Sequence, residues 1–394
     1  MHTIRLKPGR EKTARQRHPW VFSGALAASP RKIAPGEIVR VTDSKGGFVA
    51  YGYFNPRSQI RIRLLEWDEG AKIDRDWWAA RIRDSVAARD TVLGDDTDAC
   101  RLIFGESDLL PGLIVDRYGP FLVLQASTAG IERVKDDIIA ILEELLHPEG
   151  VYERSEGESR NLEGLALSSG VLWGTAPPNG LIVRENGLRF RVDIAGGQKT
   201  AFYIDQRENR KIVSSFAAGR DILDCFCYSG AFSIYALSAG ARSATLVDSS
   251  AHGLAIAKEN LNLNGLDGKN HEIIEDDVFR ALRRFRGTGR AFDMVILDPP
   301  KFAPNKASLK KALLAYKDIN MLGMQLLRPG GFLATFSCSG AVDSQTLQTV
   351  LFWAGEDAGR RVQIIHSLSQ ASDHPRLVTF PESEYLKGFI CRVL

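Results

Sequence analysis

From Asp221 to the C-terminus, strand-length apolar runs alternate regularly with helix-length segments. This pattern restricts the fold more than any other feature. The runs are "DILDC", "SATLVD", "HEIIED", "FDMVILD", "GFLATFS", "VQIIHSL" and "GFICRVL"; the intervening segments include "SIYALSAG", "AHGLAIAKENLNLNG" and "LKKALLAYKDINMLGMQLL". Runs with so few polar interruptions suit strands covered on both faces, and their alternation with helices specifies a doubly wound, mostly parallel α/β sheet. Ligands of such sheets bind beyond the carboxyl ends of the strands, near the switch in strand order. The residues at those ends therefore carry the functional question.

The first strand ends in Asp224 and runs through "CFCYSG", where Ser229 and Gly230 make a tight turn before a helix. A glycine there lets backbone approach a ligand closely. The GxGxxG fingerprint is missing, which disfavours a dinucleotide. Asp248 closes the second strand about twenty residues later, where a carboxylate can accept from both ribose hydroxyls of an adenosine. Asp277 follows the third strand and is placed to accept from an adenine amino group. Each acid alone reads as readily as a helix cap; three at successive strand ends are harder to explain so. The fourth strand ends in Asp298, and Pro299-Pro300 then force the chain out of helix and sheet. The fifth ends in "SCSG", a thiol at Cys338 between two serines.

Upstream the pattern changes. Short alternating runs ("GEIVRVTD", "GFVAYGYF", "QIRIRLLEW") broken by "APG", "SKGG" and "NPRS" read as a small barrel or sandwich. Residues 1–65 hold thirteen Lys and Arg against three Asp and Glu; since the whole chain carries +3, the remainder is −7. A basic module on a mildly acidic body points to a polyanionic partner, with a solvated basic face as the plain alternative. The expected organisation is a small β-barrel domain at 1–67, an α+β domain at 68–175 and the α/β domain at 176–394. Five scattered cysteines make a poor disulfide framework and suggest a reducing, cytoplasmic setting. No run reaches about 18 apolar residues, so no membrane span is expected. No secretory signal is read at the N-terminus, and the cysteine spacing disfavours zinc.

Residues 180–394 resemble the class I S-adenosylmethionine-dependent methyltransferases, with "DCFCYSG" as the cofactor loop, Asp248 as the ribose acid, Asp277 as the adenine-region acid and "DPPKF" on the substrate side. The whole chain is similar to the bacterial large-subunit ribosomal RNA methyltransferases that form 5-methylcytosine, in which a PUA-type RNA-binding domain precedes a small central domain and the catalytic one. "RHPWVFSGAL", "GGFVAYGYFNPRSQIRIRLL", "AGGQKTAFYIDQRENR", "DPPKF", "SCSG" and "YLKGF" carry this likeness. It implies S-adenosyl-L-methionine as cofactor. Its expected contacts are Lys199, Phe202, Tyr203, Gln206, Arg207, Asp224, Phe226, Tyr228, Ser229, Gly230, Asp248, Asp277 and Asp298. It also implies 23S ribosomal RNA as substrate, protein-free or partly assembled.

Cytosine C5 needs activation before it can accept a methyl group, and a thiolate adding to C6 supplies it. Cys338 is the expected nucleophile, with Asp298 on the base edge and Glu382 as proton acceptor; Asp373 and Glu384 are the other acids considered. Cys225 and Cys227 are rival thiols, and Cys100 and Cys391 read as packing residues. Pro299, Pro300 and Lys301 are expected near the substrate, and Arg15, Arg17, Trp20, Arg57, Arg61 and Arg63 against RNA; His18 and Phe22 belong to the same stretch. Two alternatives stay open: methylation of a guanine nitrogen, which needs no cysteine, and a noncatalytic RNA-binding or assembly factor. The association state is also open, a homodimer included.

Overall fold

The computed structural model describes residues 1–28, 32–197, 201–302 and 308–394. They form two compact units, residues 1–186, 193–204 and 372–383 in the first and 187–192, 205–371 and 384–394 in the second. The first unit thus unites the two N-terminal domains expected from the sequence. It also takes in three stretches from the region assigned to the third, 176–186, 193–204 and 372–383.

The first unit is built on two five-stranded sheets. One has the order His2–Arg5, Glu37–Thr42, Phe48–Phe54, Ile60–Glu66, Trp20–Phe22. Its first pair is parallel and the others antiparallel, and Leu6, Val39, Val41, Ile62 and Leu64 fill its core. The other has the order Ser168–Gly174, Gly150–Ser155, Phe121–Ala126, Leu113–Tyr118, Ala99–Phe104, and two helices accompany it, Arg75–Asp90 and Ala129–Leu146. Asp74 and Thr128 start those helices by accepting the backbone N–H three residues on, at 3.2 and 3.4 Å. Such caps satisfy donors that the helix itself cannot. Gly130 lies in the first turn of the second helix, where a Cβ would come within 2.2 Å of the Tyr53 ring. Tyr53, on the first sheet, donates to Pro111 O, which locks the two sheets of this unit together.

The second unit is the α/β body. Its strands are β1 (Asp221–Cys225), β2 (Ser243–Asp248), β3 (His271–Glu275), β4 (Phe292–Leu297), β5 (Leu327–Ser337), β6 (Val362–Ser369) and β7 (Lys387–Val393). Their order is β3-β2-β1-β4-β5-β7-β6; β1 to β5 run parallel, and β7 is antiparallel to both its neighbours. Leu223, Val247, Val295, Leu297 and Leu333 are fully buried between helices, which is why these strands read as near-continuous apolar runs. The order reverses at β1, whose neighbours are β2 and β4. The carboxyl ends of those strands, with that of β5, frame the region where a ligand belongs.

Candidate active site

Beyond β1 the backbone takes an unusual path. Phe226, Tyr228 and Gly230 all lie in the left-handed region, with φ of 61°, 46° and 75°. For the two aromatic residues this conformation is strained, and such strain persists where the surroundings over-determine it. Here they do. Phe226 N–H donates to Val247 O at 2.9 Å, Tyr228 N–H to the Asp248 carboxylate at 2.8 Å, and Asn260 to Ser229 O at 3.1 Å. A Cβ at Gly230 would sit 3.0 Å from both Ala257 and Leu246, so the turn has no room for a larger residue.

Asp224 is buried in this turn. One of its oxygens accepts from the Ser233 hydroxyl at 2.7 Å and the Ser233 N–H at 3.1 Å; the other, Oδ1, has no partner. Burial, with Asp298 and Asp248 nearby, pushes its carboxyl up to about 7. An orphaned buried oxygen carries a desolvation cost until a donor arrives. Asp248 is half-buried and takes N–H groups from Tyr228 and Ser250, both at 2.8 Å, one on each oxygen. A carboxylate has about four acceptor sites, so both oxygens can still accept from a diol. A strained turn with an unpartnered carboxylate oxygen below and a second carboxylate twenty residues on fits S-adenosylmethionine: the amino-acid ammonium suits Asp224, the ribose Asp248. Asp277 caps the helix Val278–Gly287 by accepting from Arg280 N–H at 2.9 Å, and its exposed side chain keeps the second oxygen open. Its neighbour Asp276 is buried and bonded to Arg280 and Arg284; against the upward pull of burial, these hold its carboxyl below the usual range.

The other expected cofactor contacts divide between the units. Phe202 is buried and Tyr203 half-buried in the first; Gln206 and Arg207 are buried in the second, where Gln206 accepts from Asn209 at 2.6 Å and Arg207 donates to Glu208 at 3.2 Å. Lys199 lies outside the described residues.

The ends of β4 and β5 are neighbours, with Leu297 opposite Thr335 in register. Asp298 follows the first, half-buried, with Pro299 buried and Pro300 and Lys301 exposed; Cys338 follows the second. The five cysteines separate cleanly, for Cys338 is half-buried and the other four are buried. Burial drives the Cys225 and Cys227 thiols well above their ordinary range and Cys391 to about 12. The chain around Cys338 is pinned from below. The fully buried Tyr316 accepts from the Ser337 hydroxyl at 3.0 Å and shares a hydrogen bond with Ser339 at 3.2 Å. Lys387, also buried, donates to Ser339 O and Tyr385 O, each at 2.9 Å, and stands opposite Ser337 in the β5–β7 pairing.

Tyr316 and Lys387 were not picked out as site residues from the sequence. A lysine opening an otherwise apolar strand in "YLKGF" was the signal for one of them. Of the acids considered as proton acceptor, Asp373 is fully buried in the first unit, bonded to His374 and to the Arg101 N–H, and is no candidate. Glu382 also belongs to the first unit, half-exposed, 3.4 Å from His18. Glu384 is exposed in the second unit, where its charge acts on Lys387.

The residues expected to face RNA need two corrections. Arg63 is buried, 2.7 Å from Glu163 and 3.4 Å from Glu106, so it cannot reach a phosphate. Trp20 is half-buried, its ring N–H on Glu106 at 2.8 Å and its ring against Phe380, and so belongs to the packing of the first unit. Arg57 and Arg61 are tied to backbone carbonyls and Arg15 to Asp43, whereas the Arg17 side chain is exposed and unpaired among the described residues, and Phe22 is exposed beside Trp20.

The fold and site together define a methyltransferase that uses S-adenosylmethionine. Residues 167–383 match the S-adenosylmethionine-dependent methyltransferase family, and residues 4–67 match a PUA-like domain. The chain is 46% identical to "Ribosomal RNA large subunit methyltransferase I" of Erwinia tasmaniensis over 100% of both chains. It is 45% identical to the Shewanella amazonensis protein of that name over 99% of each. It belongs to this family. A solved Streptococcus mutans chain described as a SAM-dependent methyltransferase shares the fold, with a TM-score of 0.85 at 22% identity and full coverage of both chains. A second structure, of a methyltransferase complexed with SAH, gives 0.86 at the same identity and coverage.

Proposed function

We propose that this protein methylates C5 of a cytosine in large-subunit ribosomal RNA, with Cys338 as the nucleophile. One observation carries the reading: of five cysteines, only Cys338 is accessible, and it stands at a strand end beside the one that presents Asp298. The cofactor supplies an electrophilic methyl group. The Cys338 thiolate forms an Sγ–C6 bond, and the ring electrons make C5 nucleophilic. Asp298, at the mouth of the site, takes the amino and N3 edge of the base. Once C5 carries the methyl group, a base removes the C5 proton and the Sγ–C6 bond breaks, which returns the thiolate. Glu382 was the acid chosen from the sequence for that proton; Glu384, in the same unit as Cys338, is its rival.

The base must leave its stack to reach the thiol, which favours RNA that is protein-free or partly assembled. The relatives' name and the PUA-like domain support the substrate class, and the basic N-terminal module supplies affinity through phosphates. In the deciding test, unmodified large-subunit ribosomal RNA is incubated with labelled cofactor and wild type or Cys338→Ala. Nucleoside analysis should find the label in 5-methylcytosine, with at least about a thousand-fold loss in the variant, the scale expected when a nucleophile is removed. Label on guanine, or full activity in Cys338→Ala, would reject the reading.

A further inference from the structure

The pairing of Lys387 raises a separate question. Its ammonium is buried at the start of β7 and held by two backbone carbonyls, Ser339 O and Tyr385 O. Three donors meet two neutral acceptors, and among the described residues no carboxylate lies within ion-pair distance. A buried cation without an anion is costly, and the structures that keep one generally give it a counter-charge. The Ser339 carbonyl it grips belongs to the residue after Cys338, and Lys387 faces Ser337, the residue before it. The same two serines hang on Tyr316.

We propose that Lys387 is a positioning residue whose counter-ion is the Cys338 thiolate: its ammonium holds the Ser337–Ser339 turn and stabilises the sulfur in its ionised form. The inference rests on Cys338 being the nucleophile and adds how the thiol is made reactive. The thiol proton passes to solvent; Lys387 keeps its own. The charges acting on Lys387 are those of Glu384, Cys338 and Asp343, which favour its protonated form, and Lys301, which opposes it; the Tyr316 hydroxyl in turn feels Cys338 and Asp298. Burial lowers the Lys387 ammonium from its usual range, and the negative partners offset part of that loss. A nearby cation lowers a thiol's titration, typically by one unit or more.

The test is alkylation of Cys338 by iodoacetamide across pH in the full-length protein without RNA, followed by peptide mapping; the four other thiols are buried. In wild type the midpoint should fall below about 8.5, the value of an ordinary thiol. Lys387→Met should raise it and slow alkylation at pH 7 by at least about ten-fold, while Lys387→Arg should keep it near wild type. Cofactor binding and thermal melting identify a variant that fails to fold. The wild-type profile decides in that case, since a midpoint at or above about 8.5 overturns the proposal without any variant. An unchanged midpoint in folded Lys387→Met overturns it too. A low midpoint together with an active Cys338→Ala would sink the nucleophile reading and leave the ion pair standing.

Discussion

Arg63 and Lys387 are both buried cations, one in each unit, yet their surroundings differ. Arg63 meets Glu163 at 2.7 Å and Glu106 at 3.4 Å, and Asn55 donates to Glu163 at 2.7 Å, so that charge is answered within the chain. Lys387 meets only carbonyl oxygens. The carboxylates differ in the same way. Glu163 has its charge matched by Arg63, whereas Asp224 leaves Oδ1 unanswered. Closed groups hold sheets and helices together; open ones at strand ends are what a ligand or a reaction completes. In the second unit Asp224 Oδ1 and the Lys387 ammonium are of the open kind, beside the ends of β1 and β5.

The largest effect should come from breaking a closed pair. Glu163→Ala leaves the buried Arg63 guanidinium with only Glu106 at 3.4 Å and the Asn55 amide with only the main-chain carbonyl of residue 163, and should cost about 3–5 kcal/mol, the range for one partner of a buried ion pair. Five of the six tryptophans lie in the first unit, so a shifted denaturation midpoint read by their fluorescence reports the loss. Cofactor affinity should not change. A stability loss below about 1 kcal/mol would mean that the pair is no more closed than a surface salt bridge, and the contrast with Lys387 would fail.

Much of the second unit was legible because its chemistry follows periodicity. All seven strands named from apolar runs form, and Asp224, Asp248, Asp298 and Cys338 each stand at or just past a strand's carboxyl end. The strands of the N-terminal sheet were legible from their alternating runs and turn residues. Its charges were not. Arg63 and Arg61 share one strand and the same residue type, but only tertiary pairing decides that the first is buried on Glu163, a hundred residues away in sequence. Trp20 is lost to view for the same reason, its partner Glu106 being distant in the chain. The unit division was equally hidden: residues 372–383 follow β6 and look continuous with the sheet, yet pack with the first unit. Lys387 lay within a quoted motif and passed as strand, because only the register to Ser337 gives it a role.

A smaller effect should come from filling an open group. The Asp224 carboxyl is pushed up to about 7 from 3.8 by burial and neighbouring acids. Its folded value lies above its unfolded one, so the cofactor-free protein holds that proton between about pH 4 and 7. Its contribution to stability is full below pH 4 and is lost as pH rises through 7. A cofactor ammonium favours the carboxylate and reverses the preference. Wild-type affinity for S-adenosylmethionine should therefore climb about ten-fold from pH 6 to 8, by calorimetry, and Asp224→Asn should bind more weakly with that climb abolished. A variant that keeps the climb would mean that Asp224 is closed after all.

The smallest effect concerns the arginines at the first unit's surface. Arg15 and Arg17 differ by two residues, yet Arg15 is 2.7 Å from Asp43 while Arg17 is exposed and unpaired among the described residues. If open groups are those that meet a partner, Arg17 should contact a phosphate of the proposed RNA substrate and Arg15 should contribute less. Arg17→Ala should weaken RNA binding about two- to five-fold and lower the slope of log K against log salt by about one, since one fewer counterion is released. Arg15→Ala removes a charge already offset by Asp43 and should barely move that slope. Equal slopes in the two variants would show that RNA draws Arg15 away from Asp43, and pairing in the free protein would then no longer mark which charges are committed.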